Sequence, residues 1–185
     1  MQSLKYPIGP YKVPEQITQD KVAEWINDIR RFPEKIGLLT SDLLNEQLNW
    51  SYRPDGWTIQ QVVHHCADSH MNSFIRFKLA MTEQGPTIKP YLEHLWAEMP
   101  DTKEANIHDS LSILEGLHRR WVILLKNLQK EDLQREFVHP EHGKRFTLGE
   151  NIALYAWHCN HHLSHVEQAI RFKGNFGEDK GTMLT

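Results

Sequence analysis

The stretch that decides the fold is TLGENIALYAWHCNHHLSHVEQAIRFK, residues 147–173. Its apolar side chains recur every three or four positions, which is typical of the buried face of an α-helix. They are Ile152, Tyr155, Cys159, Leu163, Val166 and Ile170. Thr147 followed by Glu150 matches a capping box, and Gly174 is a common helix stop. We therefore predict a helix from Thr147 to about Lys173.

Two earlier segments have the same periodicity. The first begins near Thr18, a candidate N-cap, and Pro33 either kinks it or opens its continuation. The second has a stronger start, because Thr58 and Gln61 form another capping box. Its apolar positions predict a long helix over residues 58–82.

A fourth helical stripe runs over residues 111–128, with Asp109 or Ser110 as its predicted N-cap. Residues 83–108 are rich in proline and aromatic side chains, which indicates a long crossover loop. Residues 137–146 are predicted to form a turn-rich connector. Four helices with one long connection predict an all-α, four-helix bundle with a crossover.

Composition bounds the class of protein. The chain has 185 residues, 39% of them hydrophobic, and a formal net charge of −3. This size fits a single domain over residues 1–185, with an extended arm at 1–17 and a flexible tail at 175–185. Without a basic stripe or a long apolar run, nucleic-acid binding and membrane insertion are not expected. The N-terminus lacks the pattern of a signal peptide, so we expect a cytoplasmic protein.

The last helix carries four histidines within eight positions. His158 and His162 are i and i+4 neighbours at the edge of the buried arc, so their imidazoles can converge on one metal ion. His165 lies slightly further round the helix. His161 points toward the polar face and is expected to be solvent-exposed.

The helix over residues 58–82 offers a third imidazole. His65 lies at the edge of its buried arc, as His158 does, whereas His64 is expected to point outward. His70 falls within the apolar arc, where a core histidine bonded to the backbone is the commoner explanation. Two facing helices can then supply the three imidazoles of an open zinc site. Ordinary surface or core histidines remain the alternative at this stage.

Two other metal patterns do not fit the residues. A zincin needs Glu directly after the first histidine, but Cys159 occupies that position. A di-iron bundle needs two ExxH motifs, and only Glu115 with His118 provides a helical one. Cys66 and Cys159 lie on apolar helix faces and are expected to pack in the core as free thiols. Asp68, three residues after His65, either orients that imidazole or forms a surface ion pair.

Several segments of the chain resemble a known protein family. Residues 56–80, GWTIQQVVHHCADSHMNSFIRFKLA, and 155–165, YAWHCNHHLSH, are similar to two signature segments of the DinB superfamily, and in particular of its YfiT branch. Residues 6–14 and 76–91 also resemble that branch. The resemblance implies a four-helix bundle, a homodimer, and one divalent metal ion, zinc or nickel, bound by His65, His158 and His162.

The resemblance also implies an enzyme acting on a small molecule. Members of the branch are named metal-dependent hydrolases, in which a base must take a proton from water, and Asp68 and His165 are weak candidates for that base. Other members of the superfamily transfer a low-molecular-weight thiol such as bacillithiol, which is the alternative function. A third hypothesis is a non-enzymatic metal-binding stress protein, although structural zinc sites are usually closed and rich in cysteine.

Overall fold

The computed structural model describes residues 2–104, 106–141 and 143–176. Within them, four long helices form a bundle: α2 (Gln19–Thr40), α4 (Ile59–Thr82), α7 (Ile107–Lys126) and α8 (Leu148–Phe172). The connections contain short helices α1 (Gln2–Lys5), α3 (Asn45–Leu48), α5 (Glu93–Trp96) and α6 (Pro100–Glu104), and a 3-10 helix at Asp132–Gln134. Two strands, β1 (Glu136–His139) and β2 (Lys144–Thr147), complete the chain. The predicted four-helix bundle is confirmed.

The long helices share one core. α2 and α4 each pack against both α7 and α8, so α2 and α4 lie diagonally across the bundle. The predicted crossover between α4 and α7 carries α5 and α6, and two glutamine side chains fasten it to α4. Gln61 donates to the carbonyl of Ala97 at 2.8 Å, and Gln60 donates to that of Lys103 at 2.8 Å.

Three of the four predicted helix starts are confirmed. The hydroxyls of Thr18, Thr58 and Thr147 each accept a hydrogen bond from the first turn, and the last two form capping boxes. The cap predicted for α7 at Asp109 or Ser110 is wrong. The Asn106 side chain accepts from the backbone N–H of His108 instead, because Ile107 is already buried in the core.

Pro33 neither ends α2 nor separates it into two helices, and the helix continues to Thr40. Proline has no backbone N–H, so the carbonyl of Ile29, four residues earlier, loses its helical donor. His118 on α7 supplies a replacement, since its Nδ1 lies 2.6 Å from that carbonyl oxygen. The proline therefore makes possible a hydrogen bond between α2 and α7 inside the core.

The connector predicted at residues 137–146 is a β-hairpin rather than irregular turns. β1 and β2 pair antiparallel with Phe137 opposite Phe146, and the two rings stack 5.8 Å apart. The crossover segment joins its edge, because Ile88 donates to Val138 at 3.0 Å. The hairpin was not predicted because its strands are short and its few apolar residues show no clear periodicity.

The described part of the arm, residues 2–17, lies along α8, but it is not extended throughout. Residues 2–5 form α1, because the prolines that prevent helix formation begin only at Pro7. Beyond α1, Tyr11 donates to the carbonyl of Glu150 and Trp157 donates to that of Gly9. The tail predicted to be flexible at 175–185 lies outside the described residues from 177 onward.

The C-terminus of α8 is closed by two left-handed residues, Lys173 and Gly174. Gly174 has a positive φ, and a Cβ there would lie only 3.2 Å from the Cα of Trp50, so any other residue would be strained. The prediction for the two cysteines is confirmed, because Cys66 and Cys159 are buried free thiols. None of the helices in the described ranges combines the length and apolarity that a membrane span requires.

Candidate metal centre

The three histidines predicted as metal ligands lie together between α4 and α8. Their ring nitrogens, one from each of His65, His158 and His162, all lie within 4.8 Å of one another. His65 lies in the second turn of α4 and faces the i, i+4 pair of α8. Nε2 of His65 lies 3.3 Å from Nε2 of His158.

These separations fit a single ion. Two nitrogens at about 2.1 Å from a tetrahedral zinc ion lie about 3.4 Å apart, close to the spacing of His65 and His158. Three imidazoles from two helices would leave at least one coordination position open. The donor set therefore suits an open divalent site rather than a closed structural one.

The electrostatics of the site keep the rings neutral. Burial lowers the pKa of His65 to about 4, with a smaller contribution from nearby His161. Burial also lowers the pKa of His158 and His162 well below the ordinary value, reinforced by the neighbouring histidines. Near pH 7 each ring therefore has a nitrogen lone pair available for a metal ion.

His165 contacts the ligand set from the side. Its Nδ1 lies 3.3 Å from Nδ1 of His162, and its Nε2 lies 3.1 Å from the carbonyl oxygen of Lys5 in the arm. The ring stacks on Tyr52 with a centroid distance of 3.7 Å. Both nitrogens of His165 are thus engaged, which does not favour a role as a free base.

His161 is not exposed to solvent as predicted. It is only 7% exposed, because its ring is stacked against Trp157 at 4.3 Å and against Tyr6 of the arm at 5.7 Å. The helix period correctly places it away from the core of the bundle. The arm then covers that face, which the periodicity of α8 alone does not reveal.

Two predictions for the histidines of α4 are also wrong. His64 does not point outward, since it is buried with Nδ1 2.7 Å from the hydroxyl of Ser110 on α7. His70 is buried as predicted, but it bonds to other histidines rather than to the backbone. Its Nδ1 lies 2.8 Å from Nε2 of His118, and its Nε2 lies 3.1 Å from Nδ1 of His158.

A cavity of about 490 Å³ opens onto the ligand histidines. This volume falls in the range of small-molecule sites. Besides the histidines, its walls carry aromatic and charged side chains. They are Lys5, Tyr6, Tyr52, Arg53, Asp55, Trp57, Glu93 and Trp157.

Asp68 is not among the described residues that line this cavity. Its carboxylate is half-buried, and burial together with nearby Asp101 raises its pKa to about 6. No hydrogen bond joins it to His65 among the described residues, so it does not orient that imidazole. The carboxylates that line the cavity are Asp55 and Glu93.

The loop over residues 51–58 was missed as part of the site. It folds into a small hairpin, with Tyr52 donating its backbone N–H to the carbonyl of Trp57. The hairpin places the Tyr52 ring on His165 and the Trp57 ring 4.7 Å from His65. Two aromatic residues just before a histidine-bearing helix were the only sequence signal for it.

The helical bundle and its three converging histidines place the protein in the class of helical proteins with a histidine metal site. Sequence similarity identifies the family. A family model described as the DinB superfamily matches residues 29–166. This chain belongs to the DinB superfamily.

Similar proteins carry consistent names. A protein of Oceanobacillus iheyensis named "Putative metal-dependent hydrolase" is 49% identical over 169 residues, which cover 91% of this chain and 97% of that protein. A protein of Bacillus cereus with the same name is 50% identical, over 90% of this chain and 95% of its own. The solved structure of YfiT from Bacillus subtilis is 43% identical with a TM-score of 0.90, and the match covers 93% of this chain and 98% of that chain. YfiT is described as a probable metal-dependent hydrolase with an unusual four-helix bundle topology.

Proposed function

We propose that this protein is a hydrolase that depends on one divalent metal ion bound by His65, His158 and His162. The observation that carries the proposal is the convergence of three neutral imidazoles, from two helices, within 4.8 Å at the base of a cavity. The names of the relatives in Oceanobacillus and Bacillus support the same reaction class.

Imidazole nitrogens are ligands for zinc and for nickel, and we propose one of these as the native ion. When bound, the ion would act as a Lewis acid and lower the pKa of water. The protein's own contribution is to hold the ligand rings neutral and fixed. The cavity walls bind the substrate and limit the access of bulk water.

The composition of the cavity indicates a small substrate with both apolar and polar parts. The aromatic rings of Tyr52 and Trp57 offer flat apolar surface, while Lys5 and Arg53 offer positive charge. Asp55 and Glu93 provide negative charge in the same cavity. A substrate with an apolar body and a polar reacting group matches this mixture.

Hydrolysis also needs a group that accepts a proton from the attacking water. We assign this role to a carboxylate that lines the cavity, Asp55 or Glu93. Of the two groups considered from the sequence, His165 has both nitrogens engaged and Asp68 lies outside the cavity lining. The proposed base therefore lies in the hairpin over residues 51–58 or on α5, rather than on α4 or α8.

The test is a hydrolysis assay of the zinc-loaded or nickel-loaded protein with a panel of nitrophenyl esters and anilides in ¹⁸O-labelled water. We expect turnover without added thiol, incorporation of ¹⁸O into the acid product, and loss of both in His65→Ala. The matched control is His108→Ala, which removes an exposed histidine from α7. Turnover that starts only when a low-molecular-weight thiol is added would contradict hydrolysis and support thiol transfer.

A further inference from the structure

An unbroken chain of three histidine side chains crosses the core and ends on one of the proposed ligands. It starts at the carbonyl oxygen of Ile29, which lies 2.6 Å from Nδ1 of His118. Nε2 of His118 lies 2.8 Å from Nδ1 of His70. Nε2 of His70 lies 3.1 Å from Nδ1 of His158. The chain thus links α2, α7, α4 and α8 in turn.

The starting point of this chain fixes the direction of every hydrogen bond. A carbonyl oxygen only accepts, so Nδ1 of His118 must carry the proton. A neutral imidazole has one donor and one acceptor, which leaves Nε2 of His118 to accept from His70. By the same rule, Nε2 of His70 accepts from Nδ1 of His158. His158 is left with a proton on Nδ1 and a lone pair on Nε2, which lies 3.3 Å from Nε2 of His65 and 3.5 Å from the hydroxyl of Ser69.

Neutrality of the linking rings is a consequence of where they lie. His70 is 0% exposed and His118 is 2% exposed, and the ring of Phe32 packs against both. No ion pair or hydrogen bond connects either ring to a carboxylate among the described residues. A charged imidazole without a counter-charge would be costly in such a place.

Pro33 explains why the anchoring carbonyl is available. In an uninterrupted helix the N–H of residue 33 would donate to the carbonyl of Ile29. Proline removes that donor, and His118 takes its place. One residue of α2 thereby sets the protonation pattern of a side chain on α8.

The ligand His162 shows the same arrangement independently. Nε2 of His165 faces the carbonyl oxygen of Lys5, so Nδ1 of His165 accepts from Nδ1 of His162. His162 is again left with its lone pair on Nε2. Both ligands of α8 are therefore presented in the same tautomer, each through a histidine chain that ends on a backbone carbonyl.

We infer that His118 and His70 are positioning residues, which hold His158 with its proton on Nδ1 and its Nε2 lone pair directed at the metal position. This inference rests on the proposed metal site but concerns the state of the protein before metal binds. Groups that orient metal ligands typically change metal affinity about 10- to 100-fold when they are removed. A role in packing alone would leave the tautomer of His158 and the zinc affinity unchanged.

The first test is long-range ¹H–¹⁵N NMR of the metal-free, ¹⁵N-histidine-labelled protein, which distinguishes the two tautomers of each ring. We expect the Nδ1–H form for His118, His70 and His158. A proton on Nε2 of His158 would overturn the inference. Because this measurement needs no metal, it stands even if the protein binds none, in which case the proposed function alone fails.

The second test measures zinc affinity by competition with a chromogenic chelator. His118→Leu, which can neither donate to Ile29 nor accept from His70, is expected to lose about 10- to 100-fold in affinity. His118→Gln retains a donor and an acceptor in its amide and should restore most of it. The control is His64→Leu, another buried histidine of α4 that bonds to Ser110 outside the chain. Unchanged affinity in a folded His118→Leu protein would overturn the inference, and if that variant does not fold, the tautomer measurement decides.

Discussion

Nε2 of His65 lies 3.3 Å from Nε2 of His158, although 93 positions separate the two residues in the chain. This contact requires α4 and α8 to dock in a fixed register. Each helix begins at a threonine capping box, at Thr58 and at Thr147. The boxes set where each helix starts, and therefore where its histidines lie along the bundle.

Removing a capping threonine should destabilise the bundle. We expect Thr58→Ala and Thr147→Ala each to lower the free energy of unfolding by about 1 kcal/mol, because each leaves a first-turn N–H without its acceptor. Urea unfolding monitored by circular dichroism measures this. The control, Thr82→Ala, removes an exposed hydroxyl at the other end of α4 and should stay within about 0.5 kcal/mol of wild type. Equal effects at all three positions would contradict the assignment.

Gln168 ties down two segments that border the cavity. Its amide donates to the carbonyl of Leu4 in the arm at 2.9 Å and to that of Tyr52 in the loop at 2.6 Å. Gln168→Leu should therefore speed amide hydrogen exchange in the arm and in residues 51–58 together. The neighbouring substitution Glu167→Ala, at an exposed position, should leave both rates unchanged. Acceleration in only one segment would show that the two are not held jointly.

Acid should destabilise the metal-free protein because a buried histidine of its core resists protonation. Burial lowers the pKa of His118 to about 4 in the folded state, whereas in the unfolded chain it protonates near the ordinary value of about 6.5. The unfolded state therefore binds more protons between these values, and stability is lost as the pH falls from about 6.5 toward 4. The loss from this ring alone is up to about 3 kcal/mol.

Urea unfolding at about pH 7.5 and about pH 5 checks this prediction. The difference should shrink in His118→Gln, because that variant has no ring to protonate. An unchanged pH dependence in the variant would mean that His118 does not titrate as its burial implies.

The cavity carboxylates should matter for turnover but not for metal binding. Replacing Asp55 and Glu93 together by Asn and Gln is expected to lower kcat by about 100-fold or more, as removal of a general base does. Zinc content should not change, since neither residue belongs to the ligand set. Asp68→Asn, outside the cavity lining, serves as the control and should keep turnover close to wild type. A loss of activity in Asp68→Asn would contradict this assignment and indicate that Asp68 is the base.

The ligand triad and the bundle could be predicted because they depend on local information. Helical period places His65, His158 and His162 on the inner edges of their helices, and capping boxes mark two of the helix starts. The burial of His161 and His64 could not be read in the same way. It is produced by Tyr6 of the arm and Ser110 of α7, which approach from distant parts of the chain.

The chain of hydrogen-bonded histidines could not be predicted from the sequence either. Periodicity places His70 on a buried face, but it does not show that its ring meets that of His118. Their contact depends on how α4 and α7 pack and on the carbonyl that Pro33 leaves free. The hairpin at residues 137–146 was missed because its apolar residues are few and its strands span only four residues each.

The most direct test of the metal centre is the metal content of the purified protein, measured by inductively coupled plasma mass spectrometry alongside protein concentration. We expect one divalent ion per chain in the wild type and in His108→Ala, and almost none in folded His65→Ala, His158→Ala or His162→Ala. Full occupancy in any of those three variants, or a wild type that takes up no zinc or nickel, would contradict the proposed site.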